Sequence, residues 1–257
     1  MERASAYLCG SNFYSVSDSL VIIPTYNEKE NVERMIRKVF SLSKDFHVLI
    51  VDDGSPDGTA GIVKTLQNEF TGRLHILERK GKLGLGTAYI AGFRWALDRH
   101  YEYVFEMDCD FSHNPDDLVR LYDGCVRKGG DMSVGSRYVK GGGVKNWPFK
   151  RLAMSFCASL YVNTILWLGV RDSTAGFVCY SRKVLQTIDL DSIQFIGYAF
   201  QIEMKYNTKQ LGFKIVEVPI TFIDREFGVS KMSMNIFNEA VLGVLKMRFR
   251  RVSRKNR

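Results

Sequence analysis

The chain has 257 residues, 46% of them apolar and 25% charged, with 36 Lys and Arg against 28 Asp and Glu. That length and mix suit one globular domain burying a full core, and exclude a disordered chain or a fibre. The five cysteines are odd in number and form no Cys-x-x-Cys pair, which argues against a disulfide framework or a zinc ribbon.

Residues 1–17 lack the basic start and apolar core of a signal peptide, and residues 1–18 read as an N-terminal extension. Short apolar runs then alternate with amphipathic stretches. Strands are predicted at 19–24, 47–53, 73–79, 101–108 and 131–136. Between them the spacing predicts helices at 27–43, from about 59, at 87–99 and at 115–128, with Asn114 as N-cap of the last. Continuous apolar strands alternating with helices imply an α/β fold with a doubly wound, mostly parallel sheet. In such sheets ligands bind outside the carboxyl ends of the strands. Three predicted strands end in polar groups there: Pro24 to Glu28, Asp52 to Ser55, and Asp108 to Asp110.

The second half breaks this rhythm. After Gly141-Gly142-Gly143, which reads as a mobile loop, residues 152–170 contain no charge. Ser155, Ser159 and Asn163 fall on one helical face of that stretch, and Lys145, Lys150 and Arg151 precede it. An in-plane membrane-interface helix over 149–169 accounts for this better than a span, and a core helix packed on the sheet is the other reading. A strand at 175–181, a helix near 198–211, a strand at 215–224 and an amphipathic helix near 232–248 follow. Residues 246–257 hold seven basic residues and no acid, so 36 less these 7 leaves 29 basic against 28 acidic residues elsewhere. The net charge of +8 therefore belongs to a basic appendage, not to a broad nucleic-acid surface.

Asp108-Cys109-Asp110 carries the strongest chemical signal. Two carboxylates one residue apart at a strand end can share a hard divalent cation, Mg²⁺ or Mn²⁺, that keeps positions open for phosphates. A capped surface turn is the bland alternative. A carboxylate of Asp52 or Asp53 could accept from the imino N–H of guanine or uracil, although both also suit an Asx turn before Gly-Ser-Pro-Asp-Gly. Gly81, Gly84 and Gly86 match no phosphate-loop spacing, and a helix start or close backbone approach explains them. Arg137, Arg225 and Lys231 follow predicted strands and could clamp a diphosphate or an anionic acceptor. His113 and Glu203 read as structural, and no nucleophile-base constellation is evident.

In order, the segments VIIPTYNE, VDDGSPDGT, KLGLGTAYIAG, MDCDFSHNP, GSRYVKGGGV, DSTAGFVCYSRKVL, GYAFQIEM and FIDREFGVSKMS resemble dolichyl-phosphate (polyprenyl-phosphate) mannosyltransferases, inverting glycosyltransferases of family 2. The resemblance covers about residues 19–245. It implies the GT-A fold, with a catalytic domain at 19–231 that includes the interfacial helix, and a C-terminal amphipathic helix and basic tail at 232–257. It further implies that Pro24, Tyr26, Glu28, Val51, Asp53 and Cys109 line the site of GDP-mannose, that Asp108 and Asp110 hold the metal, and that Arg137, Arg225 and Lys231 contact the diphosphate or acceptor phosphate. Asp110, Arg137, Arg225 and Lys231 are the implied catalytic set. Cys109 stands where the family commonly has Ala, and Ser112 where some members have a metal-contacting Gln.

The implied reaction moves mannose from GDP-mannose to dolichyl or polyprenyl phosphate with inversion, for glycan assembly. A polyprenyl-phosphate glucosyltransferase or N-acetylhexosaminyltransferase using a UDP-sugar is the alternative, and a binding protein that has lost catalysis is a third reading. Relatives carry C-terminal transmembrane helices or borrow them from small membrane-anchoring subunits. The expectation for this chain is peripheral attachment at the cytosolic face of a bacterial inner membrane or the endoplasmic reticulum, through helix 149–169, the C-terminal helix and the tail. No nucleic-acid partner is expected.

Overall fold

The structure is a computed structural model in which residues 17–197, 199–224 and 234–255 are described, those of 234–240 by backbone alone. Arg225 and Lys231, like residues 1–16 of the N-terminal extension, lie outside the described residues. The first half alternates strictly: β1 (Ser19–Thr25), α1 (Val32–Phe40), β2 (His47–Asp52), α2 (Thr59–Glu69), β3 (Leu74–Glu78), α3 (Leu85–Asp98), β4 (Tyr103–Glu106), α4 (Asp117–Val126) and β5 (Met132–Ser136). The second half holds β6 (Gly143–Lys145), α5 (Phe149–Leu166), β7 (Val178–Ser181), α6 (Arg182–Thr187), α7 (Ala199–Gln210), β8 (Ile215–Pro219), β9 (Thr221–Ile223) and α8 (Met234–Phe249).

Seven strands form one sheet in the order β3-β2-β1-β4-β7-β5-β8. All neighbours run parallel except β7, which is antiparallel to both β4 and β5. The central strands are buried along nearly their whole length because helices cover both faces. Leu20 and Ile22 face one apolar cluster with Tyr89 and Phe93 of α3 and Phe200 of α7. Val21 and Ile23 face the other, with Met35 and Ile36 of α1 and Leu118 and Leu121 of α4. Period-two alternation in β1 thus feeds both layers. In α1 the buried set is Val32, Met35, Ile36 and Val39, one helical face.

Four expectations are corrected. The run at 215–224 is two strands: Pro219 has no N–H to extend the ladder, and the chain leaves the sheet to pair β9 with β6 in a separate ribbon. The glycines at 141–143 are no open loop throughout, since Gly143 begins β6 and Gly142 is closely packed. A Cβ on Gly142 would come within 2.5 Å of the Ser136 carbonyl oxygen. Asn114 is not the cap residue, since α4 begins at Asp117; its side chain accepts from the Asp116 N–H one turn earlier.

The basic tail, fourth, is docked and is no loose appendage. Met247 is buried with Val244 in a third cluster that joins α8 to Val162 and Leu166 of α5 and to Ile202 and Tyr206 of α7. Arg250 Nη2 donates to Glu203 Oε1 at 2.5 Å, the Lys255 N–H donates to the Thr187 carbonyl, and Arg254 bridges to Ile188. Lys246, Arg248 and Arg251 remain exposed.

The polar stripe of α5 faces inward. Ser155 Oγ accepts from the Tyr138 hydroxyl, Ser159 is buried, and the Asn163 amide both donates to and accepts from the Val170 backbone. The outward face is therefore apolar, with Phe149 82%, Phe156 52% and Leu160 59% exposed, and Trp167 at the helix end 76% exposed. Across α8, Phe249 is 87% exposed and the Arg248 guanidinium lies 5.0 Å from the Trp167 ring. No helix among the described residues is long and apolar enough to cross a membrane.

Candidate active site

The turn after β4 places Asp108 and Asp110 differently. The Asp108 side chain is 41% exposed, whereas Asp110 is 9% exposed and accepts from the Ser112 N–H at 3.1 Å. Phe111 adopts a left-handed backbone conformation with φ of 60°, unusual for a bulky residue, and the Arg34 guanidinium lies 5.0 Å from its ring. His113 is buried, stacked on Phe177, and its Nδ1 accepts from the Asp108 N–H at 3.3 Å. Burial pushes this imidazole down to about 4, so it is neutral at pH 7 and acts as a fixed acceptor that shapes the turn. Burial also raises the Cys109 thiol well above its ordinary value, which removes it as a nucleophile.

At the ends of β1 and β2 the polar groups are tied to one another. Asp52 Oδ2 accepts from the hydroxyls of Thr25 (2.8 Å) and Ser55 (2.6 Å), and Oδ1 from the Ser55 N–H (2.9 Å). Asp52 is thus the Asx-turn residue. Its neighbour Asp53 pairs through Oδ1 with Arg79, whose guanidinium also donates to Thr87. Pro24 sits opposite Val51 in the sheet, and Lys82 lies 5.2 Å from the Tyr26 ring. Glu28 accepts from the Asn31 amide through Oε2, while its own N–H donates to Thr59. Gly84 starts α3, and Gly86 is needed for close approach: a Cβ there would stand 2.8 Å from the Phe200 ring.

Arg137 is locked. Its Nε and Nη2 donate to the two oxygens of Asp172 at 2.7 and 2.6 Å, and Nη2 reaches Thr174 at 2.9 Å. Desolvation acts to lower its pKa, and the Asp172 bonds outweigh this and raise it. The Trp147 and Phe222 rings flank the guanidinium at 5.3 and 5.7 Å. Asp172, 35 residues away in sequence, carried no signal beyond its charge.

Asp108, His113, Arg137, Thr174 and Gln201 line a cavity of about 230 Å³. Its other wall is Met154, Tyr161 and Val162 of α5 with Val241 and Val244 of α8. The lining is mostly apolar, with Arg137 and Arg151 as its cationic groups. Asp108 and Arg137 are brought to this cavity, whereas Pro24, Tyr26, Glu28, Val51, Asp53, Cys109 and Asp110 do not line it. Among the described residues no three metal-binding side chains cluster. A two-carboxylate centre with oxygen donors fits a hard divalent ion that completes its shell with substrate phosphates. His113 Nδ1, already an acceptor, is outside that donor set.

The Glycosyl transferase family 2 model matches residues 20–189. The chain is 48% identical, over 88% of its length and 85% of the relative, to the polyprenol monophosphomannose synthase of Mycolicibacterium smegmatis. It is 47% identical, over 88% of its length and 92% of the relative, to the undecaprenyl-phosphate mannosyltransferase of Micrococcus luteus. Among solved structures it resembles glucosyl-3-phosphoglycerate synthase from Mycobacterium tuberculosis, in complex with Mn²⁺, UDP and glucosyl-3-phosphoglycerate (TM-score 0.64, 16% identity, 91% of this chain and 80% of that one). It also resembles a mannosyltransferase from Pyrobaculum calidifontis in complex with GDP-Man and Mn²⁺ (TM-score 0.58, 16% identity, 90% and 63%). At such identities these two speak for the fold alone.

Proposed function

The chain belongs to Glycosyl transferase family 2 and has the GT-A fold, and on that premise we propose that it transfers mannose from GDP-mannose to a dolichyl or polyprenyl phosphate with inversion. The carrying observation is the mixed lining of the cavity. Asp108 and Arg137 line it together with apolar residues of α5 and α8, which suit an isoprenoid phosphate. The names of the two bacterial relatives support the same acceptor class.

In this reading Pro24, Tyr26, Glu28, Val51, Asp53 and Cys109 hold the nucleotide sugar, and Asp108 and Asp110 hold Mg²⁺ or Mn²⁺. Such an ion neutralises the charge that develops on a departing diphosphate. Arg137, already pinned by Asp172, offers an oriented cation for one of the two phosphate groups. Arg225 and Lys231 are assigned to the same anions. A phosphomonoester with a second pKa of about 6 is ionised at pH 7 and needs no general base. The residues around the turn agree with this: His113 is neutral and bonded, Cys109 is a thiol, and Glu203 is occupied by the Gln194 and Phe195 N–H groups and by Arg250. The chain's task is to hold two anions against each other.

The apolar outer face of α5, with Trp167 and Phe249, is assigned to a bilayer surface, and the exposed Lys246, Arg248 and Arg251 to anionic headgroups. Small membrane-anchoring subunits are a further candidate partner on that face, and the cytosolic leaflet is the assigned location.

The test is a donor panel of GDP-mannose, UDP-glucose and UDP-N-acetylglucosamine with a short polyprenyl phosphate, with and without Mn²⁺. Metal-dependent product from GDP-mannose alone is expected. Product from a UDP-sugar alone overturns the donor assignment. For the surface, Phe156→Ser with Trp167→Ser should weaken binding to anionic vesicles while leaving the melting temperature in place, and unchanged vesicle binding refutes the assignment.

A further inference from the structure

Gln201 lies on α7 beneath the cavity, only 3% exposed, and is held from behind. Its Nε2 donates to Glu106 Oε2 at 2.7 Å, and the other Glu106 oxygen accepts from the Tyr180 hydroxyl at 3.2 Å. Lys205, also fully buried, donates to the Ala175 carbonyl at 2.6 Å and to the Gln201 carbonyl at 3.2 Å. Accepting from Gln201 on one oxygen and from Tyr180 on the other, the Glu106 carboxyl meets the NH₂ end of the carboxamide, which sets the orientation of the amide.

The other end of that amide is unanswered. Gln201 Oε1 is buried and has no hydrogen-bond partner among the described residues, while the residue lines the same cavity as Asp108 and Arg137. A buried acceptor left without a donor is unfavourable, and one held from behind by Glu106, in a residue that lines the cavity, argues for a donor arriving with a ligand.

We propose that Gln201 Oε1 accepts a hydrogen bond from a hydroxyl of the transferred sugar and thereby reads the donor's hydroxyl pattern, an assignment that rests on the site being a glycosyl-transfer centre. Of the groups the reaction brings into this cavity, the diphosphate and the acceptor phosphate are anions that accept, and an isoprenoid chain carries no donor. The sugar supplies O–H groups. Ribose hydroxyls go with the nucleotide, and of its assigned residues neither Tyr26, Glu28 nor Asp53 lines the cavity. Glu106 and Lys205 are positioning residues in this scheme.

The experiment is a cycle between enzyme and donor. Wild type and Gln201→Met are compared on the donor sugar nucleotide and on its monodeoxy and deoxyfluoro analogues at each non-anomeric hydroxyl. Wild-type turnover of GDP-mannose tests the functional reading by itself, and if a UDP-sugar is the donor the same cycle is run on that sugar. Wild type should lose about 10-fold or more in kcat/KM at one hydroxyl position, in line with a buried hydrogen bond. The fluoro analogue should be no better than the deoxy one there, because fluorine cannot donate. Gln201→Met should lose a similar factor on the full sugar and nothing further on that one analogue. Its GDP affinity in the presence of Mn²⁺ should stay close to wild type, while its melting temperature falls because Glu106 Oε2 loses its donor. Equal penalties for every analogue in both enzymes overturn the proposal, as does rescue by fluorine, which would put the amide's NH₂ end in the cavity. Should Gln201→Met fail to fold, Gln201→Asn, which withdraws the amide by one methylene, carries the same comparison.

Discussion

Two pairs of carboxylates stand at the carboxyl ends of β2 and β4, strands that flank β1 on either side. Asp52 organises the Thr25–Ser55 turn, and Asp53, the residue assigned to the nucleotide, is held in place by Arg79. Asp108 and Asp110 sit in a turn shaped from outside, by His113 and by the Ser112 N–H, and Asp108 keeps 41% of its side chain exposed at the cavity. Neighbouring positions in one sheet thus divide the work. Asp52, satisfied by hydroxyls and backbone, stabilises its turn, whereas Asp108 presents a partly exposed carboxylate at the cavity.

The comparison can be broken by substitution. Asp110→Ala should lower metal-dependent transfer by about 10²-fold or more, the scale of removing one preorganised electrostatic contact, with little change in melting temperature; a steady-state transfer assay with a parallel melt decides it. Asp172→Asn should leave the buried Arg137 partly unpaired and cost about 3–5 kcal/mol, which is roughly 6–20 °C of melting temperature for a domain of this size. Asp52→Ala removes three bonds from a single turn and should cost about 1–3 kcal/mol, seen as a lower urea midpoint with an unchanged slope. If Asp52→Ala instead melts like wild type and loses metal dependence, the division of labour between the two turns is wrong.

A smaller effect concerns pH. Burial, the largest cause, with His47 and Arg99 adding to it, pushes His75 down to about 4 from an ordinary 6.5. The folded state therefore binds fewer protons than the unfolded one between those values. The stability present above pH 6.5 is lost as pH falls towards 4. His75→Gln should reduce the slope of melting temperature over that window, leaving the part owed to His113, and an unchanged slope refutes the assignment.

The parallel half was legible in the sequence because its strands are buried on both faces and its helices are amphipathic; α1 and β2 need no distant partner to be recognised. The Asp108–Asp110 pair stood out as a candidate site from local sequence alone, two carboxylates one residue apart at a predicted strand end. The antiparallel placement of β7, the β6–β9 ribbon and the inward polar face of α5 were not, since each depends on a neighbour far along the chain. Asn163 reads as a polar interruption until Val170 is seen to complete it. Asp172 and Gln201 have meaning only through Arg137 and Glu106, partners 35 and 95 residues away. The basic tail misled for a related reason: charge along the sequence looked like an appendage, while Met247 and Arg250 fasten it to α7.

The most direct measurement is mannose transfer from GDP-mannose to a short polyprenyl phosphate, followed across a Mn²⁺ titration with Asp110→Asn and Asp52→Asn side by side. The account predicts product with wild type, retained metal-dependent turnover with Asp52→Asn, and almost none with Asp110→Asn. Full metal-dependent turnover by Asp110→Asn would contradict it.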